Sequence, residues 1–333
     1  MKALTFKRYG KSPEIGFTDV PLPALKPDEV LVQVYAVGLN PIDNMIPTGT
    51  FKPVLPFKLP ATMGNDLAGV VTQVGGRVTR FKPGDEVFAC LFDLGRGALA
   101  EFAVVPESAA ALKPANLDFV QAASVPMVGL TSWQALKERA QLRPGQKVFI
   151  PAGSGGIGTF AIQLAKQLGA KVGTTTSTGN VPLVRRLGAD EIVDYKKQEF
   201  ENVLQGYDVV LGTVRGDAIE KSTAILKPGG QIVSIVGPLD AAFGHAKRLN
   251  FVLRFVFGLM SHKITRLAKK RGASYSFLFV RPDGDQLRQI GELLKEERIQ
   301  PVIDKVFPFE QAKEALAYLA QGHAKGKVVV KLK

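Results

Sequence analysis

The run Gln146-Lys-Val-Phe-Ile-Pro-Ala-Gly-Ser-Gly-Gly-Ile-Gly158, continuing as Thr159-Phe-Ala-Ile-Gln-Leu-Ala-Lys-Gln-Leu-Gly-Ala170, decides the fold. Val148, Phe149 and Ile150 make a short apolar block of the buried-strand type. Gly153, Gly155 and Gly158 follow at G-x-G-x-x-G spacing, and Ile157, Ala161, Leu164, Ala165 and Leu168 mark one face of a helix. Strand, glycine turn and helix in that order form the dinucleotide-binding fingerprint. Its first glycine allows the tight turn, its second lets backbone approach a pyrophosphate, and its third lets the helix pack closely. The opening N–H groups and the dipole of the helix attract the phosphates. Gly153, Ser154, Gly155, Gly156, Ile157 and Gly158 are therefore read as cofactor-binding.

The residue that usually completes this fingerprint is missing. Sites for NAD place Asp or Glu about 20 residues further on, where it holds the ribose 2′-hydroxyl. Here the second strand reads Lys171-Val-Gly-Thr-Thr-Thr-Ser177 and runs into Thr178-Gly-Asn180, with no carboxylate before Asp190. A carboxylate repels a 2′-phosphate, whereas hydroxyls and amides donate hydrogen bonds to it. Ser177, Thr178 and Asn180 thus point to NADP, used as NADPH. Lys171, Arg185 and Arg186 stand nearby, either as phosphate partners or as solvated charges.

Composition excludes several classes. A chain of 333 residues can hold two domains with sizeable cores, and 46% hydrophobic with 22% charged residues is a globular rather than a disordered balance. One cysteine, Cys90, rules out a disulfide framework and a multi-cysteine zinc site, and reads as a buried small apolar residue. Met1 leads directly into a strand-like Lys2–Phe6 with no leader-like segment, so a cytoplasmic location is expected. The net charge of +13 invites a nucleic-acid reading, but much of it is local. Between Ala241 and Pro282 there is no acid, while Lys247, Arg248, Arg254, Lys263, Arg266, Lys269, Lys270, Arg271 and Arg281 all fall there. No RNA-recognition signature accompanies them, and no nucleic-acid partner is expected. The apolar Phe251–Met260 stretch is too short to span a bilayer and contains Arg254.

The texture of the chain changes near residue 125. Before it, short apolar runs punctuated by Gly and Pro read as strands, among them Glu29–Tyr35 and Asp66–Val74. After it, helix and strand alternate. Helices are expected at Leu130–Ala140, Val181–Leu187 and Ala218–Leu226. Strands are expected at Lys147–Ala152, Lys171–Ser177, Glu191–Asp194, Asp208–Leu211 and Gln231–Val236. That rhythm implies a doubly wound parallel sheet. The tail is mixed: helix Asp285–Glu297, strand Val302–Val306, helix Phe309–Ala320 and strand Lys327–Lys331.

With its further motifs the chain resembles the medium-chain dehydrogenase/reductase superfamily, in the zinc-free quinone reductase and alkenal/enone reductase branch. The markers are Gly38-Leu-Asn-Pro-Ile-Asp43, Gly64-Asn-Asp-Leu-Ala-Gly-Val-Val71, Lys82-Pro-Gly-Asp-Glu-Val87, Ala152–Gly158, Gly188-Ala-Asp190 and Gly322-His-Ala-Lys-Gly-Lys327. The resemblance implies an α/β protein with a GroES-like β-barrel catalytic domain over residues 1–124 and 283–333. A Rossmann NADP-binding domain would fill residues 125–282. A homodimer is implied as well.

Zinc alcohol dehydrogenases similar to this chain have Cys where Asn40 stands, and Gly-His-Glu where Gly64-Asn65-Asp66 stands. Asn is a poor Zn²⁺ ligand, the structural-zinc cysteine cluster is absent, and His245, His262 and His323 are scattered. No metal is expected. Without a Lewis acid to stabilise an alkoxide, alcohol oxidation fits poorly. Hydride transfer to a quinone, or to the β-carbon of an α,β-unsaturated carbonyl, fits better. The acceptor spreads the charge over a phenolate or enolate, and the protein supplies proximity and orientation.

The resemblance also assigns residues. Asn40 would be catalytic, lying beside the nicotinamide and offering its amide to a carbonyl oxygen of cofactor or substrate; the alternative is a simple Asn-Pro turn. Asp43 would cap a short helix. Thr131 would approach the nicotinamide and Tyr195 the adenosine-phosphate end, with Val236, Gly237, Leu278 and Phe279 lining the nicotinamide side. Met45 and Phe51 would line the substrate pocket. The chain departs from the family at Asn180 and Met45, where lysines are common, and at Phe51, where some quinone reductases carry Tyr. Phe51 implies a more apolar pocket that favours enones.

Two other readings stay open. One is a non-catalytic NADP-binding or RNA-binding protein on the same fold, which the basic 241–282 segment would serve. The other makes Phe251–Arg271 an amphipathic membrane-surface element rather than a lid or subunit contact with a solvated basic face.

Overall fold

The structure, a computed structural model, describes all 333 residues. It divides into two compact units, Met1–Leu130 with Val280–Lys333, and Thr131–Phe279. The chain crosses between them after Leu130 and after Phe279; the expected bounds are 125 and 282. The expected helix Leu130–Ala140 begins earlier, at Pro126, and runs to Trp133. Gln134–Arg139 then continue as a π-helix, closed by a hydrogen bond from the Ala140 N–H to the Ala135 carbonyl. Such widened turns are rare and often lie at functional sites.

The Thr131–Phe279 unit is a six-stranded parallel sheet. Across it run Glu191–Asp194, Lys171–Thr176, Lys147–Ile150, Tyr207–Gly212, Leu226–Ser234 and Ser274–Phe277. Counted from the first strand the order is 3-2-1-4-5-6, the doubly wound arrangement in which the order reverses beside the glycine turn. Val148, Phe149 and Ile150 are fully buried at the centre, and Phe149 stacks on Phe200 with ring centroids 4.8 Å apart. The expected Ala218–Leu226 helix is shorter, ending at Lys221 in a 3₁₀ turn. Its last residue, Leu226, opens the fifth strand instead.

The other unit is largely antiparallel. Its main sheet runs Ile303–Pro308, Lys327–Lys331, Glu29–Leu39, Asp66–Val74, Glu86–Cys90 and Ala110–Leu112, with Phe102–Pro106 also on Glu29–Leu39. This is the GroES-like arrangement. Three registers position its polar residues: Val328 opposite Leu39, Asp66 opposite Gly38, and Cys90 opposite Asp66. A residue from the end of the chain is thereby set beside two from its first fifth.

Candidate cofactor and active site

The glycine turn leaves room where a ligand is expected and closes where packing demands it. A Cβ on Gly153 would lie 2.1 Å from Thr174 Oγ1, and one on Gly158 would lie 2.4 Å from the Ala152 carbonyl oxygen. On Gly155 a Cβ would meet only the Ala152 oxygen, at 3.4 Å. The space over Gly155 is open to the outside. The left-handed backbone of the turn falls on Ala152 (φ 55°) rather than on Gly153, a strained conformation for a residue with a side chain. Gly153 is instead kept small by its neighbour on the second strand. The helix Gly156–Gln167 starts with Gly155 as N-cap and no side chain caps it. The N–H groups of Gly156, Ile157 and Gly158 thus have no partner within the helix and are available to an anion.

Beyond the second strand two of the expected donors, Thr178 and Asn180, already make a hydrogen bond within the chain. Thr178 Oγ1 donates to Asp194 Oδ2 at 2.6 Å, and Asn180 Nδ2 donates to Ser154 Oγ at 3.2 Å, which also receives Thr176 Oγ1 at 3.0 Å. No acid precedes Asp190 in sequence, but the parallel register sets Asp194 opposite Thr176. The Thr178 hydroxyl bond, followed by the backbone N–H of Lys196 and the charges of Lys197 and Lys196, holds the Asp194 carboxyl below its usual range. Lys196 and Lys197 are exposed beside it, and Arg185 and Arg186 are exposed at the end of the helix Val181–Arg186. Tyr195 is exposed, its N–H donating to the Thr176 carbonyl. Thr131 is buried on the helix just before the π-helical turns.

On the fifth strand, Ser234 Oγ accepts from the N–H groups of Val236 (3.3 Å) and Gly237 (2.9 Å). Val236 and Gly237 line a cavity with Gly216, Ile219, Pro238 and Met260. Leu278 continues the strand pairing through its N–H to the Ser234 carbonyl at 2.8 Å. Phe279 packs on Phe243 with centroids 5.2 Å apart.

In the barrel unit Asn40 sits in a closed polar cluster. Its Nδ2 donates to Asp66 Oδ2 at 2.9 Å, and its Oδ1 accepts from Lys327 Nζ at 2.6 Å. Lys327 Nζ also reaches Asp66 Oδ2 at 3.3 Å, and Asp66 Oδ1 accepts from the Met127 N–H at 2.9 Å. Asp43, in the first turn of the helix Pro41–Met45, accepts from the Asn40 N–H at 2.7 Å and from Asn65 Nδ2 at 2.5 Å. Asn65 Oδ1 finds no donor. All five side chains are buried, Lys327 being 5% exposed. Burial pushes the Asp43 carboxyl up to about 7 against its two hydrogen bonds. It also raises Asp66, opposed by the Lys327 charge and the Asn40 amide, and it raises the Cys90 thiol well above its usual range. Met45 and Phe51 are half-buried, at the end of the Pro41–Met45 helix and in the turn that follows.

Residues 26–115 match the alcohol dehydrogenase GroES-like domain family and residues 187–330 the zinc-binding dehydrogenase family. The chain is 34% identical to the mitochondrial NAD(P)H oxidoreductase RTN4IP1 of Danio rerio, over all of this chain and 91% of that protein. The chain belongs to the medium-chain dehydrogenase/reductase family. It is also 34% identical to the chloroplastic NADPH-dependent alkenal/one oxidoreductase of Arabidopsis thaliana, over 99% of this chain and 79% of that protein. Among solved structures it is similar to the quinone oxidoreductase of Coxiella burnetii (TM-score 0.85, 30% identity, 100% and 99% of the two chains). It is likewise similar to the quinone oxidoreductase of Thermus thermophilus, also determined in complex with NADPH (TM-score 0.77, 30% identity, both chains covered in full).

For a member of this family the barrel cluster is a poor zinc site. Asn40 and Asn65 offer amides where thiolate and imidazole would bind, and the Asn40 oxygen already takes the Lys327 ammonium. A second cation there would be repelled. Lys327 and Asp66 carry this geometry, yet the sequence singles out neither as functional. The available signal was a lysine opening a strand whose next three residues are valines, Lys327-Val-Val-Val.

Proposed function

We propose that this protein is a zinc-independent, NADPH-dependent reductase of quinones or α,β-unsaturated carbonyl compounds. The observation that carries the reading is the presence in one chain of an open glycine turn and of an amide-and-lysine cluster at the position where zinc relatives hold their metal. The relatives named as quinone and alkenal/one oxidoreductases support the acceptor class.

The Gly153–Gly158 turn would bind the pyrophosphate through the N–H groups of Gly156, Ile157 and Gly158. Ser177 and Asn180, with the exposed basic residues around Asp194, would receive the 2′-phosphate. Thr131, Tyr195, Val236, Gly237, Leu278 and Phe279 would complete the cofactor site. Bound there, NADPH supplies the hydride equivalent. Asn40 orients through its fixed amide rather than by offering a free one. Its Nδ2 is spent on Asp66 and its Oδ1 on Lys327, so the cluster would fix the start of the Pro41–Met45 helix, which carries the substrate residue Met45 and leads on to Phe51. The negative charge that develops on an acceptor oxygen is delocalised in the acceptor itself, which lowers the demand for a metal.

The test is NADPH oxidation with 1,4-benzoquinone, an alkenal and a simple aldehyde, before and after dialysis against EDTA. Turnover of the first two, unchanged by EDTA, is the expected result. Alcohol or aldehyde turnover that disappears with stoichiometric zinc would overturn the reading, as would NADPH binding without turnover of any acceptor.

A further inference from the structure

The helix Phe251–Lys270 presents two unlike halves to solvent. Its inner side, Phe257, Ser261, Ile264 and Ala268, recurs at helical spacing and packs into its own unit. On the outer side Phe251 (78% exposed), Phe255 (65%) and Leu259 (60%) stand four residues apart, flanked by the exposed Val252, Val256 and Met260. Over the next two turns and a half the same outer side carries Lys263, Arg266, Lys269 and Lys270, followed by Arg271. Glu220, from outside the segment, pairs with Lys263 at 2.6 Å; no acid occurs between Ala241 and Pro282.

Six adjoining large apolar side chains form the kind of patch that marks an interaction site. The neighbouring charge selects the partner. A second copy packed antiparallel along the full helix would set each basic half on an apolar half, burying cations with no acids opposite. A bilayer bearing anionic headgroups suits both halves, since the acyl boundary takes the apolar end and the phosphates take the basic end. At 20 residues the helix measures about 30 Å, and it carries too many charges to cross; no helix of the protein is long and apolar enough to do so.

We propose that the Phe251–Lys270 helix docks the protein on an anionic lipid surface, its first half inserted at the headgroup boundary and its second half lying on the phosphates. Met260, at the end of the apolar half, lines the same cavity as Val236 and Gly237. A lipophilic acceptor could pass from the bilayer to that cavity without crossing bulk water. That route rests on the reductase reading; the docking does not.

The experiment is co-sedimentation of the full chain with phosphatidylcholine vesicles and with vesicles containing equal parts of phosphatidylcholine and phosphatidylglycerol. Pelleting is expected only with the anionic vesicles and is lost at high salt. Phe251→Ser/Phe255→Ser and Arg266→Glu/Lys270→Glu should each reduce it about tenfold or more, with melting temperature and NADPH titration unchanged. Equal pelleting on neutral vesicles, unchanged pelleting of both variants, or none at all overturns the proposal. If the apolar variant instead turns a dimer into a monomer in light scattering while the wild type ignores vesicles, the face belongs to a second copy. Failure of every acceptor in the redox assay would remove the reductase reading and leave the sedimentation result standing.

Discussion

The glycine turn at 152–158 and the polar cluster around Asn40 are built by opposite means. In the turn, side chains are withheld: Gly155 leaves an open space, and Gly153 and Gly158 let backbone and strand close up. In the cluster, side chains are supplied until nearly every polar atom is paired, leaving Asn65 Oδ1 as the one without a donor. An open site binds what comes from outside. A closed one costs desolvation and returns rigidity, so its members should fail together when one is removed.

The sharpest way to break this contrast is to fill the turn. Gly155→Val should lower NADPH affinity more than about a hundredfold, a loss of roughly 3 kcal/mol, while its melting temperature stays near wild type. Gly158→Ala, whose Cβ would lie 2.4 Å from the Ala152 oxygen, should show the reverse emphasis and lose roughly 1–3 kcal/mol of stability. Fluorescence titration beside denaturant melts separates the two. Near-native NADPH affinity in Gly155→Val would place the nucleotide elsewhere.

In the cluster, Lys327→Met should cost about 3–5 kcal/mol, because it strands the buried Asp66 carboxylate and the Asn40 oxygen. Lys327→Met with Asp66→Asn should recover part of that loss, which a set of independent contacts would not allow. Urea melts of the two single variants and the double variant measure the coupling.

Asp43 offers a pH readout. Its folded-state carboxyl is raised to about 7 from an ordinary value of 3.8. Between those values the folded protein binds more protons than the unfolded chain, so the contribution is full below about pH 4 and lost as pH rises through 7. Relative to Asp43→Asn, the wild type should lose on the order of 2–4 kcal/mol between pH 4 and pH 8. Parallel pH profiles for the two proteins would remove Asp43 as a titrating group.

The smallest effect concerns nucleotide choice. Ser177→Asp should move the kcat/KM ratio of NADPH to NADH about tenfold toward NADH, by repelling the 2′-phosphate and accepting from the 2′-hydroxyl. Asp194→Asn should shift the ratio the other way, since it removes the carboxylate bonded to Thr178. If neither variant changes the ratio, the end of the second strand does not read the phosphate.

What could be read from sequence alone was local. The strand, the glycine spacing and the helix from 146 to 170 lie within one supersecondary unit, and their meaning depends on neighbours a few residues away. The strand rhythm after residue 125 was legible for the same reason, although single boundaries such as Ala218–Lys221 were decided by sheet pairing. The absence of zinc-type ligands at Asn40 and Asn65 was equally plain from residue identity. Tertiary structure alone decided what occupies that place. Asn40 and Asp66 are separated by 26 residues, Asp66 and Lys327 by 261, and they meet because two antiparallel registers bring them together. It also placed Asp194 against Thr178 through a parallel register, where the linear order suggested no acid. Side-chain periodicity specifies which face of a strand is buried, but which strand lies beside it depends on the packing of the whole sheet.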